Sequence, residues 1–240
     1  MKKPGTFHIV IAGNSQSMPF PWNKREENAR PDLFTSYWKT YPHVMRAGLQ
    51  KHTGRDILIS SLAFRAATIR DAHNHREHMM RWMSPDVTIF NYGIVDCWPR
   101  ADGQLVDLSE FENLFSQIVD THVATLDPPL LIIMGIARST ARKNRLIPAL
   151  SEEVRKYNNV LAAAHQPERG IHFLDVQRVQ TEVGASFLSP DAHHFSNEGH
   201  AAIGAQLADL IGTYRPAPPR SWLVRTTMML TKARRHFCDS

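Results

Sequence analysis

Five short apolar runs alternate with segments long enough for a helix, and this alternation limits the fold more than any other feature of the chain. The runs are "TFHIVIAG" (6–13), "DILISSL" (56–62), "DVTIFNYG" (86–93), "LLIIMGIA" (130–137) and "IHFLDV" (171–176). Few polar residues interrupt them, as in strands covered on both faces. Between them the spacing predicts helices over 42–52, opened by Pro42, over about 68–82, over 109–125, opened by Ser109, over 148–165, opened by Pro148, and over 197–212. Five such β-α alternations predict an α/β domain: a doubly wound, parallel, five-stranded sheet in a three-layer α/β/α sandwich. Breakers agree, with Gly54 closing the first helix, "SPD" (84–86) and "DPP" (127–129) preceding strands, and "RPAPPRS" ending the domain near 215. The expected organisation is one domain over 1–215 and a basic segment over 216–240. Two stretches, 18–41 and 177–195, fit no element and read as long functional loops.

Composition narrows the function classes. At 240 residues and 42% apolar content the chain can bury a sizeable core. No apolar run approaches the roughly 20 residues of a membrane span, and the start "MKKPGTFHIVIAG" is too short and strand-like for a signal peptide, so a cytoplasmic protein is expected. Two distant cysteines, Cys97 and Cys238, suggest free thiols rather than a disulfide or zinc framework. The 13 histidines are scattered, and "HNHREH" (73–78) reads as a solvated helix face, with His75 and His78 three apart, rather than a metal site. The net charge of +5 is concentrated in 215–240, which holds six Lys/Arg against one Asp. The remainder is nearly neutral, and no nucleic-acid partner is expected. Within the tail, Trp222, Met229 and Phe237 alternate with Arg225, Lys232, Arg234 and Arg235. Two readings stand: a peripheral contact with the inner membrane face, or a helix packed on the domain or a second subunit, the second being preferred.

Chemistry enters at "AGNSQS". Ser15 falls two residues after the first strand reaches Gly13, at the carboxyl edge of the sheet where open parallel sheets bind ligands. A serine there is ordinarily the polar cap of a turn. To act as a nucleophile it needs a histidine base, itself oriented by a carboxylate. Near the other end, "DAHHFSNEGH" places Asp191 three residues before His194 in the loop leading into the last helix. That step lets the carboxylate reach Nδ1 while Nε2 faces outward. His193 has the wrong spacing for the pairing.

The strings "AGNSQS", "NYGIVDCWPR" and "DAHHFSNEGH" resemble blocks I, III and V of the SGNH, or GDSL-type, hydrolases, in the family's order and over residues 6–212. The resemblance implies a flavodoxin-like α/β/α fold and cleavage or transfer of acyl esters, with Ser15 as nucleophile, His194 as general base and Asp191 as its orienting carboxylate. It implies no metal or organic cofactor. Three departures stand out. Asn14 replaces the aspartate before the serine. Val95 stands where block III carries an asparagine that donates to the oxyanion, and losing one such donor typically costs about 10²–10³ in kcat. Block II, "SSLAFRAATIRD", lacks its glycine, so the oxyanion donors are expected from the N–H groups of Ser15 and Ala66, or of Arg65 beside it. Asn91, on the same strand face as Gly93 and Val95, could present an amide nearby. "GIVDCWPR" also resembles a subgroup found with surface-polysaccharide biosynthesis, which makes Asp96 and Arg100 pocket residues. Arg100 reads equally as a fork for a substrate carboxylate or phosphate and as an ion-pair partner of Asp96 or Asp102. The expected substrate-binding set is Asn14, Arg65, Asn91, Asp96 and Arg100. The leading expectation is deacylation of an O-acylated carbohydrate or glycan precursor. An O-acyltransferase and a non-catalytic glycan-binding protein remain as alternatives.

Overall fold

The computed structural model describes residues 5–20, 34–100, 103–125 and 129–214. The basic segment 216–240, Cys238 and much of the 18–41 loop lie outside the described residues. In chain order the main elements are β1 (Phe7–Gly13), α1 (Tyr41–Thr53), β2 (Ile57–Ser61), α2 (Ile69–Asn74), β3 (Val87–Asn91), α3 (Leu108–Ala124), β4 (Leu130–Met134), α4 (Ala141–Leu146), α5 (Leu150–Ala163), β5 (Ile171–Leu174), α6 (Val176–Val183) and α7 (Asn197–Thr213). The five strands form one sheet in the order β2-β1-β3-β4-β5, every pair parallel. This is the doubly wound, flavodoxin-like order, which reverses direction between β1 and β3.

The alternation of side chains along β1 builds the three layers. Val10 and Ala12 face a core completed by Ile69 and Ala72 of α2, Phe111 and Phe115 of α3, and Tyr157 and Leu161 of α5. Ile9 and Ile11 face the opposite core, with Met45 and Leu49 of α1, Val179 of α6, and Ile203 and Leu207 of α7. Both faces are therefore dry, which is why the strands read as continuous apolar runs. Among the described residues no helix is long and apolar enough to cross a membrane.

The structure departs from the expected elements in four places. The helix expected over 68–82 divides into α2 and a π turn, His78–Trp82, where the wider turn buries the consecutive pair Met79 and Met80. The loop expected over 177–195 contains α6 and a 3₁₀ turn, Gly184–Phe187. Asp175, at the end of the last apolar run, accepts hydrogen bonds from the N–H groups of Gln177 and Arg178 and so starts a helix where the strand ends. α4, "ARKNRL", is a helix with no buried residue and hence no apolar period to read. Pro99–Arg100 and Gly103–Gln104 form a small antiparallel ladder after β3.

α1 and α7 pack closely because Gly204 has no side chain. A Cβ there would lie 2.6 Å from Val44 Cβ and 3.0 Å from the Tyr41 carbonyl oxygen. Gly204→Val is expected to destabilise the chain by about 1–3 kcal/mol, read as a lower urea midpoint at unchanged slope.

Candidate active site

Ser15 opens a short 3₁₀ turn, Ser15–Ser17, directly beyond β1. Asn14 caps this turn, its Oδ1 accepting the Gln16 N–H at 3.0 Å. The Asn14 residue is fully buried, and its Nδ2 has no hydrogen-bond partner among the described residues. Its oxygen therefore shapes the turn.

The Asp191–His194 loop comes from the far end of the chain to meet this turn. His194 Nε2 lies 3.0 Å from Ser15 Oγ, and His194 Nδ1 lies 2.7 Å from Asp191 Oδ2. The other carboxylate oxygen accepts the N–H groups of His193 and His194, each at 3.0 Å. Burial alone would raise the Asp191 carboxyl, but the His194 hydrogen bond, its charge and the two backbone donors together hold it well below the usual carboxylate range. An ionised Asp191 keeps the hydrogen on Nδ1 and leaves the Nε2 lone pair facing the serine hydroxyl. The loop adopts this tight form with Ala192 in the left-handed region, at φ 57°. Its seat is fixed by Gln16, whose Nε2 donates to the His193 carbonyl at 2.9 Å.

Several neighbours were not legible as site residues. His200 of α7 is buried and shares a small pocket with Ser15, Met18, Phe20, Asp191 and His194. Its Nδ1 accepts the backbone N–H of Tyr41 at 3.1 Å, which requires the neutral tautomer with hydrogen on Nε2. Burial, reinforced by His194, pushes this imidazole down to about 3. His193 packs edge-on against Trp98 with ring centroids 4.9 Å apart, and burial pushes it down to about 3 as well. No sequence signal beyond the block itself would have selected these residues, because each is brought in by packing between distant elements.

The expected pocket residues of block III are placed elsewhere. Asn91 is buried, and its Nδ2 donates to Ser17 Oγ at 3.0 Å; Ser17 Oγ in turn lies 2.8 Å from the Tyr41 hydroxyl. Its amide is thus spent on the turn behind Ser15. Asp96 is fully buried rather than lining a pocket, with its oxygens accepting the N–H groups of Ile69, at 2.8 Å, and Gly93, at 3.0 Å. It ties the start of α2 to the loop after β3, and Arg100 is not its partner. Arg100 itself is exposed. Val95 is half-buried and packs against the core under α2, α3 and α5.

The block II loop follows β2 and stays against β1, with the Phe64 N–H donating to the Gly13 carbonyl at 3.3 Å. Arg65 and Ala66 lie exposed in this loop, and Ala66 has φ 59°, the backbone form a glycine would take without strain. Neither the Ser15 N–H nor the Ala66 N–H has an acceptor among the described residues. Cys97 is a buried free thiol, and among the described residues no group of three His, Cys, Asp or Glu is arranged to hold a metal ion.

No family model matches the chain, and no curated protein matches it either. Solved structures do. A lipase/acylhydrolase from Enterococcus faecalis superposes with a TM-score of 0.64 at 14% identity, covering 88% of this chain and 99% of its own. A lipolytic protein of the G-D-S-L family from Desulfitobacterium hafniense gives 0.61 at 16%, with 85% and 98% covered. The fold is that of the SGNH hydrolases. An acetylxylan esterase from Geobacillus stearothermophilus gives 0.62 at 20%, with 89% and 98% covered, and catalytic mutants of that enzyme at an aspartate and a histidine superpose as well.

Two expectations follow from the loops. The Asp96 carboxyl is raised to about 6, chiefly by burial, against 3.8 for an ordinary aspartate. Between these values the folded state holds a proton that the unfolded state has lost, so this group makes stability fall as pH rises from about 4 to 6. Chemical denaturation of Asp96→Asn across that window should show a stability that declines less with pH than the wild type. Ala66→Gly should stabilise the fold by about 1 kcal/mol, because it removes a left-handed Cβ clash that only partly trades against backbone entropy; the urea midpoint would show it.

Proposed function

We propose that the chain is a serine ester hydrolase that removes an O-acyl group from a carbohydrate or glycan precursor through an acyl-Ser15 intermediate. The observation that carries this reading is the unbroken hydrogen-bonded line Ser15 Oγ, His194 Nε2, His194 Nδ1, Asp191 Oδ2 at 3.0 and 2.7 Å. His194 takes the serine proton as Oγ bonds to the ester carbonyl carbon, then gives it to the departing alcohol oxygen as the acyl C–O bond breaks. Water then adds to the acyl-enzyme with His194 as base, releasing the acid and restoring the serine. Asp191 holds the imidazole in orientation and stabilises its charged form. The unengaged N–H groups of Ser15 and Ala66 are the proposed oxyanion donors. Val95 supplies none, which predicts slower turnover than a site with three donors.

The carbohydrate part of the reading is supported by the acetylxylan esterase among the structural neighbours and by the "GIVDCWPR" resemblance. A fluorophosphonate probe followed by intact-mass measurement tests the chemistry. Wild type should gain one adduct, and Ser15→Ala and His194→Ala should gain none, His194→Ala losing at least about 10³ in labelling rate. Absence of label on wild type, under conditions that label a control esterase, would overturn the assignment.

A further inference from the structure

The loop after β4 and the short helix α4 carry Arg138, Arg142, Lys143 and Arg145 within eight residues, "RSTARKNR", with no acidic residue among them. This segment stands over the candidate site rather than apart from it. Lys143 Nζ lies 4.8 Å from the centre of the Trp98 ring, and Trp98 packs on His193, the neighbour of the proposed base. Arg142 reaches the Pro190 carbonyl, in the loop that carries Asp191, with Nη1 3.5 Å away. Between the segment and the catalytic loop lies a narrow cleft, lined by Gln16, Trp98, Arg138, Ser139 and His193 among others.

Two independent observations mark this segment, at the mouth of the cleft, as a place for a ligand. The Ser139 hydroxyl oxygen is buried there without a hydrogen-bond partner among the described residues, a condition that a bound polar group relieves. The cations are also uncompensated. Among the described residues no carboxylate pairs with Arg138, Arg142, Lys143 or Arg145. The acids of the surrounding elements are engaged elsewhere: Glu152 with Arg155, Glu153 with Lys156, Glu182 with Arg178, Asp191 with His194, and Asp175 at the cap of α6.

We infer that the segment Arg138–Arg145 forms an anion subsite, and that the natural ester carries a carboxylate or phosphate on its alcohol portion, held there while the acyl group faces Ser15. The inference rests on the esterase reading and specifies its substrate class. A row of like charges beside a cleft raises the local concentration of an oppositely charged substrate, and the effect fades as salt screens it. Arg138 and Ser139 supply the directed hydrogen bonds, whereas Arg142, Lys143 and Arg145 supply field.

The test compares kcat/KM for three acetyl esters on one sugar framework: acetylated methyl glucoside, methyl glucuronoside and glucose 1-phosphate. At low salt the full chain should prefer a charged ester by about tenfold or more, and the preference should shrink towards about 0.3 M NaCl. The larger of the two charged-to-neutral ratios distinguishes carboxylate from phosphate. In the double variant Arg142→Glu, Lys143→Glu that ratio should fall to about one or below, with Arg142→Gln, Lys143→Gln intermediate. Equal rates on charged and neutral esters, unaltered by salt or by either double variant, would overturn the inference while leaving the esterase reading intact. If no ester turns over and Ser15 takes no label, the esterase reading fails. Calorimetric titration with glucuronate and glucose 1-phosphate then decides the subsite: salt-sensitive binding lost in the double variants supports it, and no binding rejects it.

Discussion

The pairing of β1 on both sides, with β2 at one edge and β3 at the other, is the constraint on which the rest of the structure depends. A strand hydrogen-bonded on two sides and covered by helices on both faces can release its chain in one place only, past its carboxyl end. Gly13 makes that exit feasible. A Cβ there would meet Ser17 Oγ at 2.6 Å and the Asn91 carbonyl oxygen at 3.1 Å, so a side chain would push the serine turn away from the sheet. The loop after β2 stays on one side of the turn through Phe64 and Gly13, and the Asn91 amide at the end of β3 supports it from behind. The position of Ser15 is thus a property of the sheet, and the loop from residue 191 onward docks against a turn that is already fixed.

Much of this was legible in the sequence, and the reasons are physical. Doubly buried strands must be apolar throughout, so all five main-sheet strands were readable, and the amphipathic or well-capped helices α1, α3, α5 and α7 were found within a few residues of their ends. α4 was not readable because a fully polar helix has no periodic signal, and α6 was hidden behind a cap residue that also extended an apolar run. Ser15, Asp191 and His194 were visible because the pairing of a carboxylate with an imidazole needs a fixed local spacing. Asn14, Asn91 and Asp96 were assigned to substrate from the strings around them. In the structure the Asn91 amide and the Asp96 carboxylate hydrogen-bond to elements far away in sequence, and the Asn14 oxygen caps the serine turn. Gln16, Trp98, His193 and His200 were missed for the same reason.

The electrostatic pattern around the cleft follows from that division of labour. Carboxylates near the sheet's carboxyl edge are satisfied by backbone donors, by His194 or by arginines on their own helices. A chain whose domain is nearly neutral overall can therefore present a basic rim locally, because its negative charges are already paired with other donors while the positive charges of the β4–α4 connection have no carboxylate partner among the described residues. Net charge read from composition averages over this arrangement and conceals it.

The two imidazoles that share the small pocket differ in a way that reaches beyond geometry. His194 is held with its hydrogen on Nδ1 by Asp191, whereas His200 is held with its hydrogen on Nε2 by the Tyr41 backbone. Of the four ring nitrogens, two carry hydrogens and one lone pair is taken by an amide, which leaves a single basic lone pair, the one at Ser15. In the proposed reaction the serine hydrogen therefore has one acceptor in this pocket, His194 Nε2, and the neighbouring histidine offers none.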